Sequence, residues 1–165
     1  MKLDIKGILL LAAIAGALAF FWLAPSDGLQ AAPKAKMTTI DGEPIDLTEL
    51  RGKPYMVVFW ATDCPGCVKE IPHLRSLYND LGKQGFRIIA VAMPHDEIPL
   101  IKTMREEKAM NYDIVFDEDG TLAKAFGGVK VTPTSFLISP EGKIALQKMG
   151  ELDMDQVTQM LRDML

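Results

Sequence analysis

Tyr55-Met56-Val57-Val58-Phe59-Trp60-Ala61-Thr62-Asp63-Cys64-Pro65-Gly66-Cys67 is the stretch whose reading sets the architecture. It opens on a run from Tyr55 to Trp60 with no charged residue, the pattern of a strand buried on both faces. The pattern then changes. Val68, Ile71, Leu74, Leu77, Tyr78 and Leu81 recur at helical spacing, so a helix is expected from about Pro65 to about Leu81. Pro65 suits a first helical turn, Pro72 should kink the helix, and Gly82 and Gly85 should end it. The chain has 2 cysteines, and both fall at this strand–helix junction. A helix N-terminus offers unpaired N–H groups and a partial positive charge, which favour a thiolate over a thiol. The thiolate is the species that attacks a disulfide, so the junction is suited to thiol–disulfide exchange.

Outward from this junction, the remaining pattern alternates strands and helices. Met37–Ile40 and Glu43–Leu47 flank Asp41-Gly42, a strong hairpin signal. Phe86 to Met93 reads as a second buried strand, Ile98 to Met110 as a helix and Tyr112 to Phe116 as a short strand. Thr121 to Phe126 reads as a brief helix ended by Gly127-Gly128. Thr134 to Ile138 and Lys143 to Met149 flank a Pro140-Glu141-Gly142 turn. The last helix should run from about Asp153 to Leu165, with Met154, Val157, Leu161 and Met164 on one face. Strands alternating with helices imply a central sheet with a parallel portion, and the late hairpin adds antiparallel strands. The fold class is therefore α/β, a mixed sheet flanked by helices.

Residues 1–6 are a short N-terminal segment carrying Lys2 and Lys6. Residues 7–24 carry no charge. At 1.5 Å per residue they would reach about 27 Å, enough to cross a bilayer core. No good small-x-small cleavage site follows, and Phe20, Phe21 and Trp22 suit an interfacial anchor. An uncleaved transmembrane anchor is expected at 7–24, a linker at 25–36 and one domain at 37–165. A domain of that size buries roughly two-thirds of its unfolded surface without staples, so a single CxxC is not needed as a brace. The net charge is −4, and no basic stripe argues for nucleic acid. The cysteine pair favours export to an oxidising compartment.

Phe59-Trp60-Ala61-Thr62-Asp63-Cys64-Pro65-Gly66-Cys67, followed by Lys69-Glu70-Ile71-Pro72, resembles the active site of the thioredoxin superfamily, and within it the membrane-tethered TlpA-like branch that includes cytochrome c maturation reductases. The Asp41-Gly42 hairpin with Leu50-Arg51-Gly52-Lys53 resembles that branch's N-terminal extension. Val131-Thr132-Pro133-Thr134 resembles the superfamily's cis-proline loop. The resemblance implies a thioredoxin-like fold, Cys64 as exposed nucleophile and Cys67 as resolving thiol. It also implies a substrate surface from Trp60, Pro65, Gly66, Thr132 and Pro133. No cofactor is implied. The expected partners are a disulfide-containing exported protein and a membrane thiol that supplies electrons. The expected location is a bacterial inner membrane, crossed once, with the domain in the periplasm or outside the cell.

Two departures from the family pattern stand out. Asp63 replaces the usual aromatic residue before the first cysteine, and a carboxylate there disfavours the neighbouring thiolate. Alternatively, Asp63 is a simple helix N-cap. Val58 stands where thioredoxin proper has a buried aspartate. The TlpA-like branch supplies a carboxylate from the loop after the next strand, here Pro94-His95-Asp96-Glu97. Each of His95, Asp96 and Glu97 is a candidate for proton transfer, against the alternative of a solvated loop. Glu70 is a further candidate, against the alternative of a surface or ion-pairing helix residue.

Three rival functions are weaker. Zinc needs about four ligands, and two cysteines with the scattered His73 and His95 fall short. A copper chaperone of this fold usually spaces its cysteines by three residues rather than two. A peroxiredoxin places a threonine three residues before its reactive cysteine, whereas Thr62 is two before Cys64. The methionines Met154, Met160 and Met164 read as core filler rather than a metal face.

Overall fold

The computed structural model describes residues 29–165, together with Ile14. Apart from Ile14, the expected anchor at 7–24 lies outside the described residues, as does the first part of the linker. No helix among the described residues is long and apolar enough to cross a membrane.

The chain forms β1 (Lys36–Thr38), β2 (Pro44–Asp46), β3 (Tyr55–Trp60), α1 (Pro65–Leu81), β4 (Arg87–Ala92), α2 (Ile98–Glu107), β5 (Asp113–Phe116), α3 (Thr121–Ala125), β6 (Thr134–Ile138), β7 (Ile144–Met149) and α4 (Met154–Met164). Five strands make one mixed sheet in the order β5-β4-β3-β6-β7. β3, β4 and β5 run parallel, while β6 is antiparallel to both β3 and β7. This is the thioredoxin-like α/β arrangement expected from the sequence.

β3 sits at the centre because every one of its side chains is buried. Alternation then sends neighbours to opposite faces. Met56, Val58 and Trp60 join Ile71, Leu74, Leu77 and Leu81 of α1, Ile101 of α2, and Val157 and Leu161 of α4. Tyr55, Val57 and Phe59 join Leu122 and Ala123 of α3, Phe126, Phe136, and Met37, Ile45 and Leu47 of the hairpin region. Phe59 is fully buried between Phe126 and Phe136, with ring centroids 5.4 and 6.0 Å away in edge-to-face geometry. Met154, Met160 and Met164 pack on the core as partly buried filler.

The N-terminal part of the domain covers both edges of the sheet. Residues 30–32, expected as linker, run beside the start of β7, where Ile144 N–H donates to Gln30 O at 2.8 Å and Ala32 N–H to Gly142 O at 2.9 Å. The chain is therefore tied to the domain upstream of the boundary drawn at residue 37. At the opposite edge the β1–β2 hairpin reaches β5, where Ile40 N–H donates to Ile114 O at 2.9 Å. Both edge strands are thereby partly shielded from unwanted pairing. The hairpin turn spans 39–43, longer than a two-residue Asp-Gly turn, and Gly42 takes φ 90°, in the left-handed region that glycine favours.

α2 ends at Glu107, three residues before the expected limit. Ala109 adopts φ 49°, and Met110 N–H bonds back to Arg105 O at 2.9 Å. This turn brings Met110 into the core, where it is 6% exposed. Replacing Phe59 with alanine removes a ring held by two others. It should destabilise the domain by about 3–5 kcal/mol, read as a lowered denaturant midpoint with an unchanged slope.

Candidate active site

The end of β3 and the start of α1 place the cysteines. Cys64 is the N-cap of α1, in extended conformation, and Pro65 fills the first helical turn. Cys67 N–H points at Cys64 Sγ, 3.2 Å away. The two cysteines are joined in a disulfide, their Cα atoms 5.3 Å apart. Cys64 is 9% exposed and Cys67 3%, so Cys64 is the outer sulfur. Pro65 is exposed beside it.

The Thr132–Pro133 bond is cis, as the family resemblance implied. Pro133 lies over the cysteine loop: a Cβ added to Gly66 would sit 3.5 Å from Pro133 Cδ. Thr132 is half-buried at the rim, and Val131 beside it is 50% exposed. Trp60 does not join this surface. It is 2% exposed, and its indole N–H is buried without a hydrogen-bond partner among the described residues. The expected substrate role of Trp60 therefore needs correction: as the last residue of a fully buried strand, it faces the core side under α1.

Asp63 is not the N-cap, because Cys64 holds that position. The Asp63 carboxylate instead meets His95 Nε2 at 3.3 Å. Asp96, in the same loop as His95, is buried and fully engaged. Its carboxylate accepts from Thr62 N–H and the Thr62 hydroxyl, both at 2.8 Å, and from Glu97 N–H at 3.0 Å. It braces the cysteine loop. Glu97 is exposed at the start of α2 and caps nothing with its side chain.

The buried carboxyl behind the pair is Glu70. It sits three residues after Cys67 on α1, on the same helical face, and is 4% exposed rather than on the surface. One oxygen accepts Leu152 N–H at 2.7 Å. The other is buried with no hydrogen-bond partner among the described residues. Glu70, Cys67, Val58, Trp60 and Tyr112 line one small internal cavity. Burial raises the Glu70 pKa above its ordinary value of 4.5, against the lowering effect of the Leu152 hydrogen bond. Burial likewise pushes up the Tyr112 phenol, with the Glu70 charge adding to the effect. Of the proton-transfer candidates, Glu70 shares the cavity with Cys67 and the apolar Val58, while Asp96 is engaged with Thr62. No cluster of three or more His, Cys, Asp or Glu side chains suited to a metal occurs among the described residues.

A family model described as AhpC/TSA matches residues 29–147. The chain belongs to the AhpC/TSA family. Within it, the chain is 30% identical over 131 residues to the thiol-disulfide oxidoreductase ResA of Bacillus thuringiensis subsp. konkukian, covering 79% of this chain and 75% of that protein. It is 34% identical over 113 residues to ResA of Bacillus subtilis, covering 68% and 62%. A thiol:disulfide interchange protein of Chlorobium tepidum TLS superposes with a TM-score of 0.76 at 26% identity, covering 85% of this chain and 99% of that one. The chain is accordingly a thiol-disulfide oxidoreductase of ResA type with a CxxC disulfide.

For this AhpC/TSA member, the sequence reading missed Tyr112 and the Thr62–Asp96 brace. Nothing in the sequence links residues 34 positions apart. Glu70 did carry a signal: it lies one turn from both Cys67 and Leu74, on the buried face. Its raised pKa has a consequence for stability. The folded state holds this proton more tightly than the unfolded chain does, so the unfolded state binds fewer protons as pH rises above about 4.5. The resulting penalty is absent at acid pH and complete above the folded pKa. Glu70→Gln keeps an oxygen for Leu152 and removes the penalty. The thermal midpoint of the variant relative to wild type should rise from about pH 4 to about pH 8; a constant difference would contradict the assignment.

Proposed function

We propose that this oxidoreductase reduces disulfides in exported partner proteins, such as an apocytochrome c or a metal-site assembly protein. Residues 7–24 tether it to a bacterial inner membrane, with the domain on the outer side. The observation that carries the reading is the pairing of an outer, helix-capping Cys64 with an inner Cys67 backed by a buried carboxyl. The ResA relatives supply the reaction class.

In the reduced form, the Cys64 thiolate attacks one sulfur of the partner disulfide. A Cys64–partner disulfide forms, and the partner's other sulfur leaves as a thiolate that takes a proton. An extended partner segment lies along Thr132 and Pro133 with Gly66 beneath, its backbone groups pairing with the loop. Cys67 then gives its proton to the Glu70 carboxylate and attacks Cys64 Sγ. The Cys64–Cys67 disulfide closes and the second partner sulfur departs. Two electrons have passed from the dithiol to the partner. Burial suits Glu70 to this step, because a raised pKa narrows the gap to a thiol. A membrane thiol restores the dithiol by the reverse exchange.

In cells, Cys67→Ser should accumulate a mixed disulfide through Cys64, isolable and released by reductant. Cys64→Ser should abolish exchange. Recovery of no covalent partner from the Cys67→Ser strain would count against a reductase of exported proteins.

A further inference from the structure

The proton-transfer reading of Glu70 concerns the inner cysteine. A separate arrangement bears on the outer one. Asp63 stands directly before the Cys64 N-cap, 76% exposed in its side chain, with His95 Nε2 at 3.3 Å from its Oδ1. The two residues come from different loops, 32 positions apart. Their meeting is fixed by their neighbours. Thr62, before Asp63, is held through two 2.8 Å hydrogen bonds by Asp96, which follows His95. Met93 N–H also donates to Trp60 O at 3.0 Å, zipping the two loops together below the pair. A bond between residues 62 and 96 sets residues 63 and 95 opposite each other.

We propose that Asp63 and His95 act as one proton-operated pair that sets the thiolate character of Cys64, with Asp96 as the residue that positions them. A carboxylate beside the nucleophile opposes the thiolate, and an imidazolium on that carboxylate cancels the opposition. Histidine is the side chain whose charge changes between about pH 5 and pH 8. With the imidazole protonated, the pair is neutral overall and the helix N-terminus acts on Cys64 unopposed; with it neutral, the Asp63 charge stands bare. Loss of the imidazole proton therefore offsets part of the gain in Cys64 thiolate that rising pH brings.

The other charged groups around the pair are committed or lie outside it. Lys69 on α1 and Glu151 bond to each other at 2.8 Å. Glu70 turns inward to Leu152. Asp96 is spent on Thr62 and Glu97 N–H. In the β5–α3 loop, whose Gly120 packs near Pro94, Asp117 accepts from Leu122 and Ala123 N–H and Asp119 from Thr121. Glu118 follows in that loop, Glu97 opens α2, and Lys130 precedes the Thr132–Pro133 bond. His95 is the basic side chain that the fold sets against Asp63. Both members are exposed, so the effect is a tuning of a few-fold, screened by salt.

The test is the rate of Cys64 alkylation by iodoacetamide in the reduced full chain, followed against pH by mass spectrometry. His95→Gln should slow alkylation about threefold near pH 6, the equivalent of half a pKa unit, and restore a tenfold-per-unit slope. Asp63→Asn should speed alkylation about threefold near pH 8. In the Asp63→Asn background, His95→Gln should then change little. Both positions are exposed, and an unchanged thermal midpoint separates tuning from misfolding. A wild-type slope of tenfold per unit, matched by His95→Gln, would overturn the proposal. So would independent, multiplicative effects of the two changes in the double variant, because the two residues would then act separately on Cys64.

Discussion

Every side chain of β3 is buried, and the strand is hydrogen-bonded on both sides, in parallel to β4 and antiparallel to β6. Such a strand can sit only in the middle of the sheet, with a layer packed on each face. Its C-terminal end is then fixed in space to within a residue, since a one-residue slip would exchange the Trp60 and Phe59 faces and expel each from its own cluster. The rest of the site depends on that constraint. The turn after Trp60 must reach the N-terminus of α1 within Ala61-Thr62-Asp63, so Cys64 arrives as a helix cap and Cys67 falls one turn inward.

The asymmetry between the two sulfurs follows from this delivery. The cap position leaves Cys64 at the rim beside exposed Pro65, with Pro133 close to Gly66 of the same loop. The helix carries Cys67 down onto the face shared with Glu70, Ile71 and Leu74. A thiol at the rim meets another protein, and a thiol on the inner face meets only this chain. Chemistry that begins with an intermolecular attack and ends with an intramolecular one uses both environments. Burial of the Glu70 carboxyl comes from the same geometry, because Glu70 is one turn beyond Cys67 and α4 closes over that face through Val157 and Leu161.

Much of the frame was legible in the sequence. The apolar run 55–60, the proline after Cys64 and the helical stripe to Leu81 mark the bounds of β3 and α1 as the structure has them, since strong local patterns and packing agree there. Tertiary partners were not legible. The sequence offers Glu70 as a proton-transfer candidate or as a surface acid, and the partner that decides its burial, the Leu152 N–H, lies 82 positions away. The sequence offers Asp96 as a proton-transfer candidate or as part of a solvated loop, and neither reading shows that its carboxylate braces Thr62 across the sheet end. Asp63 reads in the sequence as a charge opposing the thiolate or as an N-cap, and the structure gives the cap to Cys64, whose sulfur takes the Cys67 N–H. Residues 30–32 looked like linker because their composition hides the main-chain bonds they make with the Gly142–Ile144 strand start.

The family assignment fixes the chemistry as thiol–disulfide exchange but leaves its direction to the local environment. An exposed carboxylate before the nucleophile disfavours its thiolate, and the proposed reductase role places the couple on the reducing side. The reduction potential of the Cys64–Cys67 couple tests this most directly, measured by equilibration with glutathione at neutral pH. The account predicts a value near or below about −270 mV, in the range of thioredoxin; a value near about −120 mV would make the protein an oxidant and contradict it.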